Sequence, residues 1–219
     1  YTDGLGTDHG SLHANMLPMA FDMVPEGYRK SVAKHIKSRG MACSVYGAQY
    51  LMDALYKAGE ADYALELMTA THDRSWYNMI KAGSTITLEA WDYKYKPNLD
   101  WNHAWGAVPA NTVQRGLWGI QPLTPGFGLV LVKPQMSSLD HCDLIVPTIK
   151  GQIKAEYKKL GARLTRYQIE LPANMAGEFS VDLSADAVVS LNGEVVNLAY
   201  GSIRLNPGLN VLEIKINSF

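Results

Sequence analysis

The spacing of the apolar residues changes near residue 121 of this 219-residue chain. Before that point apolar residues recur every three or four positions, which predicts helices, and after it they alternate with polar residues, which predicts half-buried strands. The aromatic content changes at the same place, because residues 1–121 hold all five Trp and nine of the twelve Tyr. We therefore expect an α + β chain of two domains, helical over 1–121 and strand-rich over 122–219.

The helical half should begin with a helix capped by Asp8 and kinked by Pro18. Its apolar face comprises Leu12, Met16, Met19, Ala20 and Met23. Three more helices follow over about 25–39, 48–58 and 61–68, and the short connections between them favour antiparallel hairpins. Ser75 is expected to cap a short helix, and a last helix within 103–120 should be interrupted by Pro109.

The second half should form an antiparallel β-sandwich or barrel of short strands. Asn192-Gly193 is the strongest hairpin signal in the chain, because a type I′ turn needs positive φ at both central residues. The expected strands are 129–132, 152–157, 164–171, 179–183 and 209–216, with two more that flank the hairpin, one before and one after it.

Composition and motifs exclude several classes of function. The net charge is −1 and no basic run occurs, so nucleic acid is not an expected partner. No apolar stretch approaches the roughly 20 residues of a membrane helix, and we expect a soluble segment with no membrane partner. The two cysteines, Cys43 and Cys142, do not make a disulfide framework. Because nucleotide-binding and nucleophile signatures are missing, we expect no cofactor and no serine or cysteine hydrolase chemistry.

Residues 84–106 contain aromatic and acidic residues but lack the apolar spacing of three or four residues that is typical of a helix, and we expect a long loop there. Such loops inside compact domains are usually functional. Aromatic faces can pack on a sugar ring while carboxylates and His bind its hydroxyls and move protons. The alternative is that the Trp side chains belong to the hydrophobic core of the helical domain and that the acidic side chains are solvated loop residues. Glu89 follows Thr-Ile-Thr-Leu and precedes Ala-Trp-Asp, in surroundings less polar than a solvated surface, so we expect burial to raise its pKa.

His9 and His13 are spaced to share one helix face, as metal-binding pairs are. The glutamate of H-E-x-x-H is missing, since position 10 is Gly, and no third ligand stands nearby. A capping or substrate-contacting pair is therefore favoured over a metal site, and we expect no bound metal.

Three runs carry a resemblance to a known family: SWYNMIKAGSTITLEAWD (75–92), WNHAWGAV (101–108) and GIQPLTPGFGLVLVKP (119–134). They resemble the C-terminal part of bacterial α-L-rhamnosidases of the inverting glycoside hydrolase type, and residues 40–68 are similar to the preceding helix hairpin. The resemblance implies part of an (α/α)₆ barrel followed by an antiparallel β-sandwich, and it implies hydrolysis of terminal α-L-rhamnosyl residues.

The resemblance also implies roles for individual residues. Glu89 would be the general base, with Asp92 its nearest competitor and Asp100 a weaker one. His103 would line the sugar pocket, and the aromatic and acidic character of the loop adds Trp91, Asp92, Trp101 and Trp105 as side chains expected to shape it. The expected partner is a rhamnose-containing glycan or glycoside. The compartment is left open between the periplasm, the exterior and the cytoplasm.

A barrel of six helix hairpins needs on the order of 300 residues, so we expect the chain to be the C-terminal half of a longer enzyme. Its general acid would then lie upstream, in the other half of the barrel, and the isolated chain would be inactive. We also expect the unpartnered helices to expose a large apolar patch along Leu12, Met16, Met19 and the helices after Gly40, so that the isolated chain associates or is only marginally stable. The rival hypotheses are a non-catalytic carbohydrate-binding module that uses the same aromatics, and a purely structural segment.

Overall fold

The structure, a computed structural model, describes residues 1–183, 186–196 and 201–217. The chain divides into two compact units, Tyr1–Gly116 and Leu117–Phe219. Within the described residues no helix combines the length and the apolar character needed to cross a membrane.

The first unit is built from helices, which are joined by short turns up to the fifth helix and by a long loop between the fifth and the sixth. They are α1 (His13–Ala20), α2 (Glu26–Arg39), α3 (Ala48–Lys57), α4 (Ala61–Thr69), α5 (Trp76–Lys81) and α6 (Val108–Thr112). Helix α1 packs against α2 and α3, and α3 packs against α4 and α6. Two pairs of consecutive helices, α1 with α2 and α3 with α4, are thus in contact, as expected for helix hairpins. Residues 84–103 contain neither helix nor strand, as predicted for the loop.

The first helix differs from the prediction at both of its ends. It starts at His13, and the hydroxyl of Ser11, not Asp8, accepts a hydrogen bond from the Ala14 N–H at 3.1 Å. It ends at Ala20, which leaves Met23 exposed beyond it. Pro18 lies inside the helix and near its end.

The expected apolar patch along α1 is not exposed, so that prediction is wrong. Leu12, Met16 and Met19 are fully buried, because α2 and α3 of the same unit cover this face of α1. Among the described residues at the end of α1, the exposed apolar side chains are instead Leu17 and Phe21.

The helix termini later in the unit follow local chemistry. Ser75 caps α5 by accepting a hydrogen bond from the Asn78 N–H at 3.1 Å, as predicted. The predicted last helix is broken into a 3₁₀ turn (Ala104–Gly106), α6, and a π-helical turn (Val113–Leu117). Pro109 lies in the first turn of α6, where a missing N–H costs nothing, so it helps to start this helix and does not interrupt it.

The second unit is made of strands in two sheets. The strands are β1 (Gln121–Pro122), β2 (Leu129–Val132), β3 (His141–Thr148), β4 (Gly151–Gly161), β5 (Leu164–Leu171), β6 (Ala176–Phe179), β7 (Ala187–Leu191), β8 (Glu194–Val196), β9 (Ile203–Leu205) and β10 (Gly208–Ile216). One sheet has the order β1-β2-β6-β9 and the other β3-β4-β5-β10-β7-β8. Among the described strand pairs, β2 with β6 is parallel and the others are antiparallel.

The two sheets of this unit pack face to face around aromatic side chains. Phe179 of the smaller sheet lies with its ring centroid 5.2 Å from that of Tyr167 in the larger sheet, and both side chains are buried. Asn192 and Gly193 join β7 to β8 with φ angles of 51° and 88°, which confirms the predicted hairpin. The remaining residues of the predicted strand after that turn, 197 and 198, lie outside the described residues.

One predicted strand is displaced in the structure. The expected strand 179–183 is wrong, because β6 ends at Phe179 and the inward-facing positions are Met175, Gly177 and Phe179. Pairing of β6 between β2 and β9 decides this register, and that pairing lies far away in the sequence. Strand β3 was not predicted, because Leu144, Ile145 and Val146 form a short continuous apolar run in the sequence. In the structure its residues nevertheless alternate between exposed and more buried positions.

Candidate active site

The first unit contains a cavity of about 520 Å³ that Glu89 lines. Aromatic, basic and small side chains surround it, which is the composition expected for a pocket that binds a polar ligand with an apolar face. Its lining residues are His13, Ala42, Cys43, Ser44, Val45, Tyr46, Arg74, Glu89, Ala90, Trp91, Tyr95, Lys96 and Trp105.

The long loop folds back on itself and thereby brings its two ends together. The Glu89 N–H donates to the carbonyl of Asp100 at 3.1 Å, and the His103 N–H donates to the carbonyl of Thr87 at 2.9 Å. The Thr87 hydroxyl also donates to the carbonyl of His103 at 2.8 Å. These bonds satisfy backbone groups that would otherwise be unpaired, and they hold Glu89 beside Asp100 and His103.

Two features anchor this loop on the helices of its own unit. Leu88 is fully buried, and the indole N–H of Trp76 donates to the carbonyl of Gly106 at 2.8 Å. A β-carbon at position 106 would lie 2.7 Å from Cβ of Thr87 and 2.8 Å from the Leu88 carbonyl oxygen. Only glycine allows the end of the loop to approach its beginning so closely.

Glu89 is held by donors on both of its oxygens. Its Oε1 contacts the ammonium of Lys96, and its Oε2 accepts a hydrogen bond from the Asp100 N–H at 3.0 Å. The Lys96 hydrogen bond and then the Asp100 N–H lower the pKa of Glu89 and outweigh the effect of burial. The expectation that its pKa is raised is therefore wrong, because the donors favour the charged form more than desolvation disfavours it.

An aromatic cluster stands at the edge of the same cavity. The rings of His103 and Trp105 are stacked, and the ring centroid of Tyr46 lies 5.3 Å from that of Trp105. Trp105 and Tyr46 are both exposed and both line the cavity. His103 does not line it, and its buried Nδ1 has no hydrogen-bond partner among the described residues.

The other aromatic residues predicted for the pocket lie in different surroundings. Trp91 forms part of the cavity wall but is buried, with its indole N–H donating to the carbonyl of Cys43 at 2.8 Å. Trp101 is exposed and packs against Tyr93 with ring centroids 5.1 Å apart, and it does not line the cavity. The core interpretation thus applies to Trp91, as it does to the buried Trp76 and Trp118.

Asp92 also does not line the cavity. Its Oδ2 accepts a hydrogen bond from the Asn78 side-chain amide at 2.9 Å, and its Oδ1 accepts one from the Lys94 N–H at 3.1 Å. The Asn78 amide, followed by the Lys94 N–H, lowers the pKa of Asp92. These contacts tie the loop to α5, so Asp92 has the surroundings of a structural carboxylate.

The histidine pair predicted near the start of the chain does not share a helix face. His9 precedes α1 and its Nδ1 lies 2.5 Å from Oδ2 of Asp3, whereas His13 begins α1 and lines the cavity. The helical spacing fails because α1 begins at His13, so His9 lies outside the helix.

Among the described residues, the donor atoms of Glu89, Asp100 and His103 lie within 4.8 Å of one another, close enough to share a cation. Here, however, the ammonium of Lys96 already supplies the positive charge at Glu89. The chemistry of this set therefore fits an ionised carboxylate held by a lysine, and we do not assign these residues as metal ligands.

Several cavity residues were not predicted from the sequence. Lys96, Tyr95 and Arg74 come from the loop and the turn before α5, and the Arg74 guanidinium lies 4.7 Å from the Tyr95 ring centroid. Tyr46 lies just before α3, and nothing in the local sequence links it to Trp105. In the sequence, the alternation of Tyr and Lys over residues 93–96 is the local pattern that could have indicated Tyr95 and Lys96 as cavity residues.

A second cavity, of about 710 Å³, lies in the strand-rich unit between residues 122–127 and 147–149. Its lining holds no titratable side chain. Of these two cavities, the one that Glu89 lines therefore carries the groups that acid–base chemistry needs.

Comparison with protein families places the first unit in the class of six-hairpin glycosidase domains. Residues 2–116 match the bacterial alpha-L-rhamnosidase 6 hairpin glycosidase domain, and residues 119–196 match the bacterial alpha-L-rhamnosidase C-terminal domain. The chain therefore belongs to the bacterial α-L-rhamnosidase family, and the resemblance predicted from the sequence is confirmed.

Curated relatives and solved structures agree with this assignment. An alpha-L-rhamnosidase of Alteromonas sp. (strain LOR) is 25% identical over 196 residues, which cover 83% of this chain and 21% of the relative. An alpha-L-rhamnosidase of Formosa agariphila is 23% identical over 194 residues, covering 83% and 20%. The chain thus spans about a fifth of the length of these relatives.

The fold is shared with solved rhamnosidase structures. That of alpha-L-rhamnosidase from Dictyoglumus thermophilum superposes with a TM-score of 0.82 at 22% identity, covering 98% of this chain and 26% of that one. The Streptomyces avermitilis alpha-L-rhamnosidase complexed with L-rhamnose gives 0.77 at 19% identity, covering 94% and 22%. These matches confirm the predicted α + β architecture, part of a helical-hairpin barrel followed by a β-sandwich.

Proposed function

We propose that this chain is the C-terminal part of an enzyme that hydrolyses terminal α-L-rhamnosyl residues with inversion, and that Glu89 is its general base. The observation that carries the proposal is the Glu89 carboxylate in the wall of a cavity edged by exposed aromatic rings. Its lowered pKa favours the ionised form, which a base needs and an acid does not.

In the proposed reaction, Glu89 removes a proton from a water molecule that attacks the anomeric carbon opposite the leaving group. An ionised carboxylate offers about four acceptor sites, and Lys96 and the Asp100 N–H occupy two of them. Acceptor sites thus remain for the water. Trp105 and Tyr46 would pack on the apolar face of the sugar.

The general acid is proposed to lie in an upstream part of the same enzyme. An inverting pair stands roughly 6.5–9.5 Å apart, so that water fits between the carboxyl groups. Asp100 is too close to Glu89 for that role, since their donor atoms lie within 4.8 Å. The isolated chain should consequently be inactive, and it acts together with the upstream half of the barrel. For a glycan-degrading bacterial enzyme we propose a periplasmic or extracellular site of action.

The test is the Glu89→Gln variant of the full-length enzyme, assayed on an aryl α-L-rhamnoside. Glutamine keeps the shape and loses the base, so kcat should fall by about 10²- to 10⁴-fold while KM changes little. Product NMR should show inversion at the anomeric carbon. Asp92→Asn is the matched control, because Asp92 lies on the same loop but outside the cavity, and its kcat should stay within about twofold of the wild type.

Three results would contradict the proposal. A near-normal kcat for Glu89→Gln with an inactive Asp92→Asn would move the base to Asp92. Retention of anomeric configuration would remove the inverting mechanism. A wild-type enzyme that binds rhamnosides without releasing rhamnose would favour a carbohydrate-binding module that uses the same aromatic rings.

A further inference from the structure

The loop that carries Glu89 also carries a lysine whose ammonium reaches its carboxylate. Nζ of Lys96 contacts Oε1 of Glu89, and both residues line the cavity. The Glu89 side chain is only 13% exposed, whereas that of Lys96 is 40% exposed. The carboxylate of this pair is therefore largely shielded from solvent, whereas the lysine side chain is more accessible.

Several titratable groups surround the Glu89–Lys96 pair. Asp100 and His103 lie close to Glu89 on the same loop, and the cavity wall adds His13 and Arg74. Among the described residues, Lys96 is the cation in direct contact with Glu89, and it has the largest effect in favour of the charged carboxylate. The effect of His103 on Glu89 has the same direction and is smaller.

The two donors also restrict how the carboxylate can turn. The backbone N–H of Asp100 fixes Oε2 and the ammonium of Lys96 fixes Oε1, so rotation of the carboxylate would break both contacts. A base that is held in one orientation keeps the attacking water in one place, and small misplacements of reacting groups can cost about 100-fold in rate.

We propose that Lys96 is a positioning residue for Glu89, holding the carboxylate ionised and oriented toward the water that it activates. This proposal rests on the proposed role of Glu89 as the general base. Lys96 itself does not need to touch the reacting atoms.

The chain supplies a matched control two residues earlier. Lys94 lies on the same loop and makes an ion pair with Asp73, but both of these side chains are largely exposed and neither lines the cavity. Exposed pairs of this kind contribute little to stability. Replacing Lys94 thus removes one positive charge from the loop without touching Glu89.

The experiment compares Lys96→Met, Lys96→Gln, Lys96→Arg and Lys94→Met in the full-length enzyme on an aryl α-L-rhamnoside, with kcat and KM measured across pH. Lys96→Met should lower kcat by about 10- to 100-fold and leave KM within a few-fold. The acidic limb of the kcat profile should move to higher pH, because Glu89 loses the ammonium that lowers its pKa. Lys96→Gln should show the same shift, Lys96→Arg should retain most of the activity, and Lys94→Met should match the wild type.

An unchanged kcat and acidic limb in Lys96→Met would overturn the proposal. If Lys96→Met does not fold, an unchanged acidic limb in Lys96→Gln overturns it equally. A loss of activity that is the same in Lys94→Met would show a general effect of charge and also contradict it. Glu89→Gln separates the two hypotheses: full activity of that variant removes the proposed base, whereas an inactive Glu89→Gln beside a normal Lys96→Met removes only the role of Lys96.

Discussion

The indole ring of Trp105 stacks on the imidazole ring of His103, with ring centroids 3.9 Å apart and an angle of 16° between the planes. Because the backbone N–H of His103 donates a hydrogen bond to the Thr87 carbonyl, the stack is fixed to the part of the loop that carries Glu89. The exposed Trp105 therefore presents a rigid apolar face at a defined position relative to the candidate base.

Trp105 should contribute to substrate binding more than to the chemical step. Trp105→Ala in the full-length enzyme is expected to raise KM for an aryl α-L-rhamnoside about 5-fold with a small change in kcat, since loss of one aromatic contact is worth about 1 kcal/mol. Steady-state kinetics measures this effect.

Trp101→Ala is the matched control, because both Trp side chains are 40% exposed and only Trp105 lines the cavity. KM should stay near the wild-type value in Trp101→Ala. Equal increases in KM for both variants would show that the sugar site extends to Trp101 and would contradict the assignment of Trp105 alone.

Gly106 should be essential for the close approach of the two ends of the loop. Gly106→Ala places a methyl group against Cβ of Thr87 and the backbone of Leu88, and we expect it to destabilise the first unit by about 1–3 kcal/mol. Urea unfolding followed by Trp fluorescence measures the change.

Gly27→Ala is the corresponding control in α2, where no atom lies within 4 Å of the added methyl. It should leave the free energy of unfolding unchanged or raise it by up to about 1 kcal/mol. A Gly106→Ala variant as stable as Gly27→Ala would show that the loop can open without cost.

Cys43 should be unreactive in the native protein. Burial raises the pKa of its thiol to about 12, so the thiolate, which is the reactive form, is very scarce at pH 8. The half-buried Cys142 provides an internal comparison, since burial raises its pKa as well but its side chain is more accessible.

Iodoacetamide labelling at pH 8, read by peptide mass spectrometry, is expected to modify Cys142 faster than Cys43. Both should react at similar rates after unfolding in urea. Labelling of native Cys43 as fast as Cys142 would mean that the cavity wall beside Trp91 opens readily, contrary to the buried position of Cys43.

Local sequence chemistry was sufficient for much of the architecture. The helical spacing before residue 121 and the alternation after it depend on which face of each element is apolar, and this is written into a few neighbouring residues. The turn at Asn192-Gly193 and the Ser75 cap are equally local, because each requires particular backbone angles or a side-chain oxygen at one position. These features agree with the structure.

The sequence predicts that the loop is functional, and the resemblance to family motifs predicts Glu89 and His103 as its site residues. Which loop side chains meet in one cavity was decided by tertiary structure. Asp92 and Trp101 carry the same chemistry as the residues that line the cavity, but contacts with Asn78 and Tyr93 hold them elsewhere. Because the loop has neither helical nor strand periodicity, the spacing of its residues does not predict which side chains point in the same direction.

The sequence by itself therefore determined the class of each half, the hairpin turn and the candidate base. Tertiary structure decided the burial of the α1 face, the register of β6, the pairing of Glu89 with Lys96 and the lowered pKa that results. The physical reason is the distance along the sequence over which each effect acts. Backbone preferences and caps act over about four residues, whereas burial and electrostatics depend on groups that only folding brings together.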